Sequence, residues 1–250
     1  MKRIIFSLFC IFSISISAGS AGYAYIIDGY VSDWGIDLSI AQAATKGYLD
    51  THLPTSSTVR YVTEDNTDSS SGWFQVGPGW SKGNVYDAEA MYFDYDNTYA
   101  YIAIITGLKQ SNSYDPGDIF ISTNGDLVYE YAIRTDGSSA GHLYSNITEL
   151  YPTLYFPQSN PWMVKTGSDL GLINGFVYNS TLQNTHYVIE ARVLLSSLGL
   201  TTDTAKYVRL HWTMECGNDV LDLPPVPEPA SLSLLGLGLL GLLKIRRKVS

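Results

Sequence analysis

The chain has 250 residues, 45% of them hydrophobic, with 15 Lys and Arg against 24 Asp and Glu for a formal net charge of −9. Six of the cations lie at the two ends (Lys2, Arg3, Lys244, Arg246, Arg247 and Lys248), so the stretch between carries nine cations against 24 carboxylates, a net of −15. That balance argues against nucleic acid as a partner, since phosphate contacts need Lys and Arg. It suits solubility outside a cell and is compatible with an oxygen-seeking cation such as calcium.

Residues 1–24 read as a signal peptide for the Sec export machinery. Lys2 and Arg3 form the basic start, residues 4–16 are apolar apart from serines, and Ala18, Gly19, Ser20 and Ala21 are small, so cleavage falls after Ala21 or Ala24. Phe9 before Cys10 is too bulky for a lipoprotein box. Removal of Cys10 leaves Cys216 alone, which forbids an intramolecular disulfide and reads as a small buried apolar residue.

Residues 25–223 show no repeat and no long amphipathic helix. Short runs of Val, Ile, Tyr, Phe and Thr alternate with clusters of Gly, Asn, Asp and Ser, as strands and turns do. The 19 tyrosines suit pleated surfaces. In chain order, the pattern predicts a strand at 26–27 and a short helix over 39–46. Strands at 89–93 and 99–106 form a hairpin across 94–98. Strands at 119–122 and 127–133 form a second hairpin, turned by Asn124 and Gly125, a strong short-range hairpin signal. Further strands fall at 142–146, 176–178 and 187–193, followed by one helical turn at 194–198. Residues 99–106 are apolar throughout, as a central strand covered on both faces should be. The last strand, 207–214, puts Val208, Leu210, Trp212 and Met214 on one face, with Arg209 and His211 on the other. Eight or more such strands predict an all-β fold: a β-sandwich, jelly-roll or immunoglobulin-like, with one or two short helices, and a barrel as the alternative.

Residues 224–230 form a stiff proline-rich linker containing Val226, Pro227, Glu228 and Pro229. Residues 231–243 are an apolar run, read as a transmembrane sorting helix. Counted from Ala230, its 14 residues span roughly 21 Å as a helix, short for a hydrocarbon core of about 30 Å. Residues 244–250 are basic and belong on the cytoplasmic side. Gly236, Gly238 and Gly241 fit a dinucleotide-loop spacing, but no strand precedes them, and small residues in a membrane helix explain them better.

The order of Pro-Glu-Pro motif, Leu/Gly-rich run and basic cluster resembles the PEP-CTERM sorting signal. The resemblance implies processing by exosortase, a membrane enzyme similar to cysteine proteases. It also implies a final place on the cell surface or in the extracellular matrix of an exopolysaccharide-making Gram-negative bacterium, after transient anchoring in the inner membrane. More distantly, the middle region resembles family 9 carbohydrate-binding modules and their DOMON-like relatives. The segments that carry this are IDGYVSDW at 27–34, AEAMYFDYDNTYAYIA at 88–103, GDIFI at 117–121 and YVIEARVLLSSL at 187–198. The usual proline of the last motif is absent, with Val193 near its place, and the insertion at 47–82 has no counterpart. The segment HWTMECGND at 211–219 resembles a recurring ending in exosortase-sorted proteins.

Two sites follow as expectations. Sandwiches of this kind often hold structural calcium, and Asp28, Asp118, Glu190 and Asp219 are the candidate ligands; the competing reading has Asp28 and Asp118 serving turns and Glu190 pairing with an arginine. Sugars stack on aromatic faces, and Trp73, Trp80 and Trp162 lie in Gly/Pro/Ser-rich loops, the competing reading being that they cap the core. Trp34 and Trp212 read as core. The four histidines show no metal-protease or paired-cysteine spacing; His211 shares a face with Arg209, and Glu190 is expected on a neighbouring strand. With no nucleophile elbow and no phosphate loop, the chain reads as a non-catalytic surface protein that contacts polysaccharide or envelope components. The alternatives are a self-associating structural domain without a small ligand and, less favoured, a secreted glycan hydrolase.

Overall fold

The computed structural model describes residues 25–40, 47–65, 74–77, 85–179 and 186–226. Residues 1–24, where an export signal is expected, the tail beyond Val226, Trp73 and Trp80 lie outside the described residues. The described residues contain eleven strands: β1 (Arg60–Thr63), β2 (Ala88–Tyr95), β3 (Tyr99–Thr106), β4 (Ile119–Ser122), β5 (Tyr131–Ile133), β6 (His142–Tyr151), β7 (Met163–Leu172), β8 (Gly175–Tyr178), β9 (Tyr187–Leu194), β10 (Arg209–Thr213) and β11 (Val220–Leu223). Two four-residue helices accompany them, α1 (Tyr48–Thr51) and α2 (Thr202–Ala205).

The strands form two antiparallel sheets, ordered β1-β2-β3-β9-β8 and β11-β10-β4-β5-β6-β7. The chain fills part of the first sheet, then part of the second, and returns to each with its last four strands. This is a sandwich, as the alternation of strands and turns predicts. The hairpin expected from strands at 89–93 and 99–106 forms, its first strand running from Ala88 to Tyr95, with Tyr95 opposite Ala100. Its turn is held by Asp96, whose Oδ1 accepts the N–H groups of Thr98 and Tyr99, both at 2.7 Å.

The inward faces of both sheets meet in the main core. Val208, Leu210, Trp212 and Met214 all point there and are no more than 1% exposed, as their alternation requires. Each large apolar side chain buried this way contributes roughly 1.5–3 kcal/mol. The Trp212 indole N–H is satisfied by the Gly117 carbonyl at 3.0 Å.

A second apolar cluster covers the outer face of the five-stranded sheet. The N-terminal segment lies across it like a strap, packing Tyr25, Val31, Trp34, Ile36 and Leu38 on Ala90, Tyr92, Tyr101, Ala103 and Val188. This strap is why β3 is apolar on both faces. Among the described residues, the outer face of the six-stranded sheet has no such cover: a small cluster of Phe120, Ala132 and Val164 forms there, flanked by half-buried Tyr129, Tyr144 and Ile147.

Four local expectations are corrected. Residues 26–27 are not a strand; the Ile26 N–H is taken by Asp33 Oδ2 at 2.8 Å. Of the helix expected over 39–46, residues 39–40 are not helical and 41–46 lie outside the described residues, while α1 begins at Tyr48. The strand expected over 127–133 starts only at Tyr131, because carboxylates take the backbone N–H groups near it. Asp126 accepts Val128 N–H at 2.8 Å and Glu130 accepts Thr123 N–H at 2.8 Å, leaving Leu127 and Val128 in an exposed loop. Glu190 is not beside His211: it lies on β9 in the first sheet, and His211 on β10 in the second.

Candidate functional site

The uncovered face of the six-stranded sheet holds a groove of about 560 Å³. Strand alternation builds its floor. With Leu210 and Trp212 committed to the core, Arg209 and His211 must project outward, and Asp222 on β11, directly opposite His211, projects with them. The loop at 127–129 forms one wall, and the turn before β7, carrying Gln158, Asn160 and Pro161, forms another. The His211 ring is fixed at both nitrogens. Nε2 donates to the Pro161 carbonyl at 2.8 Å, and Nδ1 lies 2.9 Å from Asp222 Oδ1. Both partners accept, so one of the two side chains must supply an extra proton for both bonds to form. The Tyr129 ring lies 5.7 Å from the His211 ring and 5.3 Å from Phe120. Burial, with Asp222 nearby, pushes its phenol up to about 12. Arg209 Nε donates to the Gly125 carbonyl at 3.2 Å. The groove thus joins aromatic surface to amide and guanidinium groups, the combination that binds a ring faced with hydroxyls.

The four residues expected to ligate calcium are not gathered in one place. The Asp28 side chain serves its own turn, accepting the Tyr30 N–H at 2.9 Å. Glu190 ties down the strap: Oε2 accepts the Gly29 and Asp28 N–H groups at 2.7 and 3.1 Å, and Oε1 the Trp34 indole at 3.0 Å. Burial pushes its carboxyl up to about 7 against the pull of these bonds. Asp118 forms an ion pair with Arg134 at 2.8 Å and accepts the Val164 N–H at 2.8 Å. Burial holds it at about 7, opposed chiefly by Arg134.

Asp219 is the exception. It lies with Glu64 and Asp87 at the end of the sandwich away from the chain's exit, with one oxygen from each carboxylate within 4.8 Å of the others, close enough to hold a metal ion. All three are buried. Burial raises Asp219 well above the usual carboxylate range, and Glu64 and Asp87 beside it raise it further. An all-carboxylate donor set suits a hard divalent cation. Asp219 also holds the Ala88 N–H at 2.7 Å, which anchors the start of β2. Glu64 and Asp87 escaped the sequence reading because they fall in turn-rich stretches with no ligand spacing.

Trp162 is only 7% exposed, its ring beside Tyr151, so little of its face is open to a ligand. The chain leaves the fold at the opposite end of the sandwich from the acidic cluster. The Val226 N–H donates to the Lys206 carbonyl at 3.1 Å, and Arg60 donates to the carbonyls of Lys206, Val208 and Pro224.

Among the described residues these features define an all-β sandwich with one sheet face strapped and a groove on the other, followed at once by a sorting sequence. Residues 225–248 match the PEP-CTERM protein-sorting motif. The motif implies an exported, exosortase-sorted surface protein that is transiently anchored in the membrane. No curated protein and no solved structure matches the chain. Among the described residues, no helix is long and apolar enough to cross a membrane.

Proposed function

We propose that this exosortase-sorted protein is a non-catalytic surface or matrix module that contacts polysaccharide through the groove on its six-stranded sheet. The observation that carries this is the setting of Tyr129, Arg209, His211 and Asn160 around one cleft on the outer sheet face that, among the described residues, has no strap across it. The likeness of the middle region to family 9 carbohydrate-binding modules supports the same reading. Among the groove's lining residues Asp222 is the single carboxylate, whereas paired-carboxylate hydrolysis needs two. The final destination is the surface or matrix of a Gram-negative cell.

Affinity electrophoresis in gels containing the source bacterium's exopolysaccharide tests this. The domain should be retarded, and Tyr129→Ala should weaken binding by roughly 2 kcal/mol, about 30-fold, as loss of a central aromatic anchor does. Equal mobility with and without polysaccharide would remove the reading. Trp73→Ala and Trp80→Ala test whether those residues extend the site.

The structure of the second sheet also favours self-association as an alternative. Its edge strand β7 is ten residues long, and Leu170 and Leu172 on it are 54% and 72% exposed. Concentration-dependent light scattering that disappears in Leu172→Lys would support it. We further assign calcium to the Glu64, Asp87 and Asp219 cluster as a structural ion, on its all-oxygen donor set.

A further inference from the structure

The loop at 123–128 sits beside the point where the chain leaves the domain. A Cβ on Gly125 would meet the Pro225 ring and the Tyr207 carbonyl, both at 2.8 Å, so this turn packs directly on the exit segment that follows β11. Next to it project Leu127 and Val128, 74% and 65% exposed, and Leu127 is the most exposed large apolar residue among those described. Neither packs into the core clusters.

The sequence sets how far this corner can lie from the membrane. Val226 is the last described residue, and the apolar run starts at Ser231. Four residues separate them, and the five Cα steps from Val226 to Ser231 span at most about 18 Å even fully extended. While the tail is anchored, the exit corner must therefore stay within that reach of the bilayer surface, and the 123–128 turn with it.

We propose that Leu127 and Val128 form a lipid-facing foot that seats the domain on the bilayer for as long as the sorting tail is attached. Two apolar side chains bind a membrane weakly on their own. A leash of four residues makes the contact intramolecular and multiplies its population through effective concentration. Processing at the sorting motif removes the leash, and the foot lets go. Charge adds little. Arg60, Lys206 and Arg209 lie at this corner, but Asp126, Glu130, Asp203 and Asp222 share it. The contact is accordingly apolar and insensitive to salt.

The test uses the chain carrying its sorting tail, reconstituted in vesicles of phosphatidylcholine alone or of phosphatidylethanolamine with phosphatidylglycerol. An environment-sensitive dye is placed by Leu127→Cys, and in a control by Asp136→Cys on the far end of the β4–β5 hairpin; Cys216 is buried and stays unlabelled. Flotation with the vesicles verifies anchoring. The Leu127 dye should shift to the blue and be quenched by iodide several-fold less than the Asp136 dye, in both lipids and at high salt. Removal of the tail should abolish the difference. Equal quenching of the two dyes in floated protein would overturn the proposal. So would shielding that appears only when exosortase is co-reconstituted, which would make the enzyme the occupant, or shielding that survives loss of the tail.

Discussion

The strap that covers the five-stranded sheet hangs on one carboxylate, and Glu190→Ala should release it. Glu190 is fully buried and accepts three donors: the N–H groups of Asp28 and Gly29 and the Trp34 indole. Truncation removes the Glu190 acceptor from the buried Gly29 N–H and Trp34 indole, at about 1–3 kcal/mol each, while the Asp28 N–H is part-buried and finds water. The expected loss is about 4 kcal/mol, and a domain of this size loses roughly 2–4 °C of Tm per kcal/mol, hence about 8–16 °C. Glu190→Gln keeps the shape but turns an NH2 group toward one of the donors, so it should lose less, about 1–3 kcal/mol. Thermal melts followed by circular dichroism give the Tm, and hydrogen exchange locates the effect. Protection should fall over 25–38 and over the outer face of β3 while the β10–β4 ladder keeps its own. An Ala variant that melts within 2 °C of the parent, or that loses protection uniformly, would refute the idea that this carboxylate anchors the strap.

Stability should depend on pH in an unusual sense. Glu190, Asp118 and Asp65 are each held at about 7 by burial, and Asp219 is raised further. A carboxyl raised above its unfolded value contributes stability that is present below about pH 4 and is lost as pH rises through its folded value. In chelator, the Tm should therefore climb as pH falls from 8 to 5.5, and a flat or inverted profile would contradict the burial of these groups. Below about pH 4 the opposite group, including Asp126 and Asp169 held down by hydrogen bonds, should reverse the trend. Millimolar calcium should raise the Tm by several degrees at pH 7.5, chelator should reverse it, and Asp219→Asn should not respond; an unmoved parent Tm would remove the ion from the buried cluster. Gly125→Val should lower the Tm by at least about 2 kcal/mol equivalent, since φ there is +81° and the added Cβ meets the Tyr207 backbone; a melt equal to that of the parent would show that the turn does not pack on the exit segment.

The hairpin of β2 and β3, the strand β9 and the inward face of β10 were legible because their alternation or apolarity leaves one arrangement. Three strands were not. The β7 segment, with Lys165, Gly167, Ser168, Asp169 and Gly171, has the polar composition of a loop, because as an edge strand it is exposed along most of its length. β11 is four residues long and runs directly into the prolines, too short for its alternation to mark a strand. β1 is equally short. Leu127 and Val128 misled in the other direction: their apolarity predicted a strand, but they face outward in a loop. At the sites, the outward pairing of Arg209 with His211 followed from strand period alone. The partner Asp222 did not, since it depends on β11. The buried cluster stayed hidden because Glu64, Asp87 and Asp219 come from three separate parts of the chain and meet only in the fold.

The grip of Arg60 on three carbonyls around the exit has an evolutionary and practical corollary. The final β-strand ends at Leu223 and is latched through Pro224, one residue before the matched motif begins, and of the motif's residues Pro225 and Val226 also touch the domain. Trimming anywhere downstream of the latch leaves a blunt, secured end rather than a loose thread. The label beyond Val226 can therefore be exchanged, shortened or grafted onto another cargo without touching the contacts that secure this end of the sandwich.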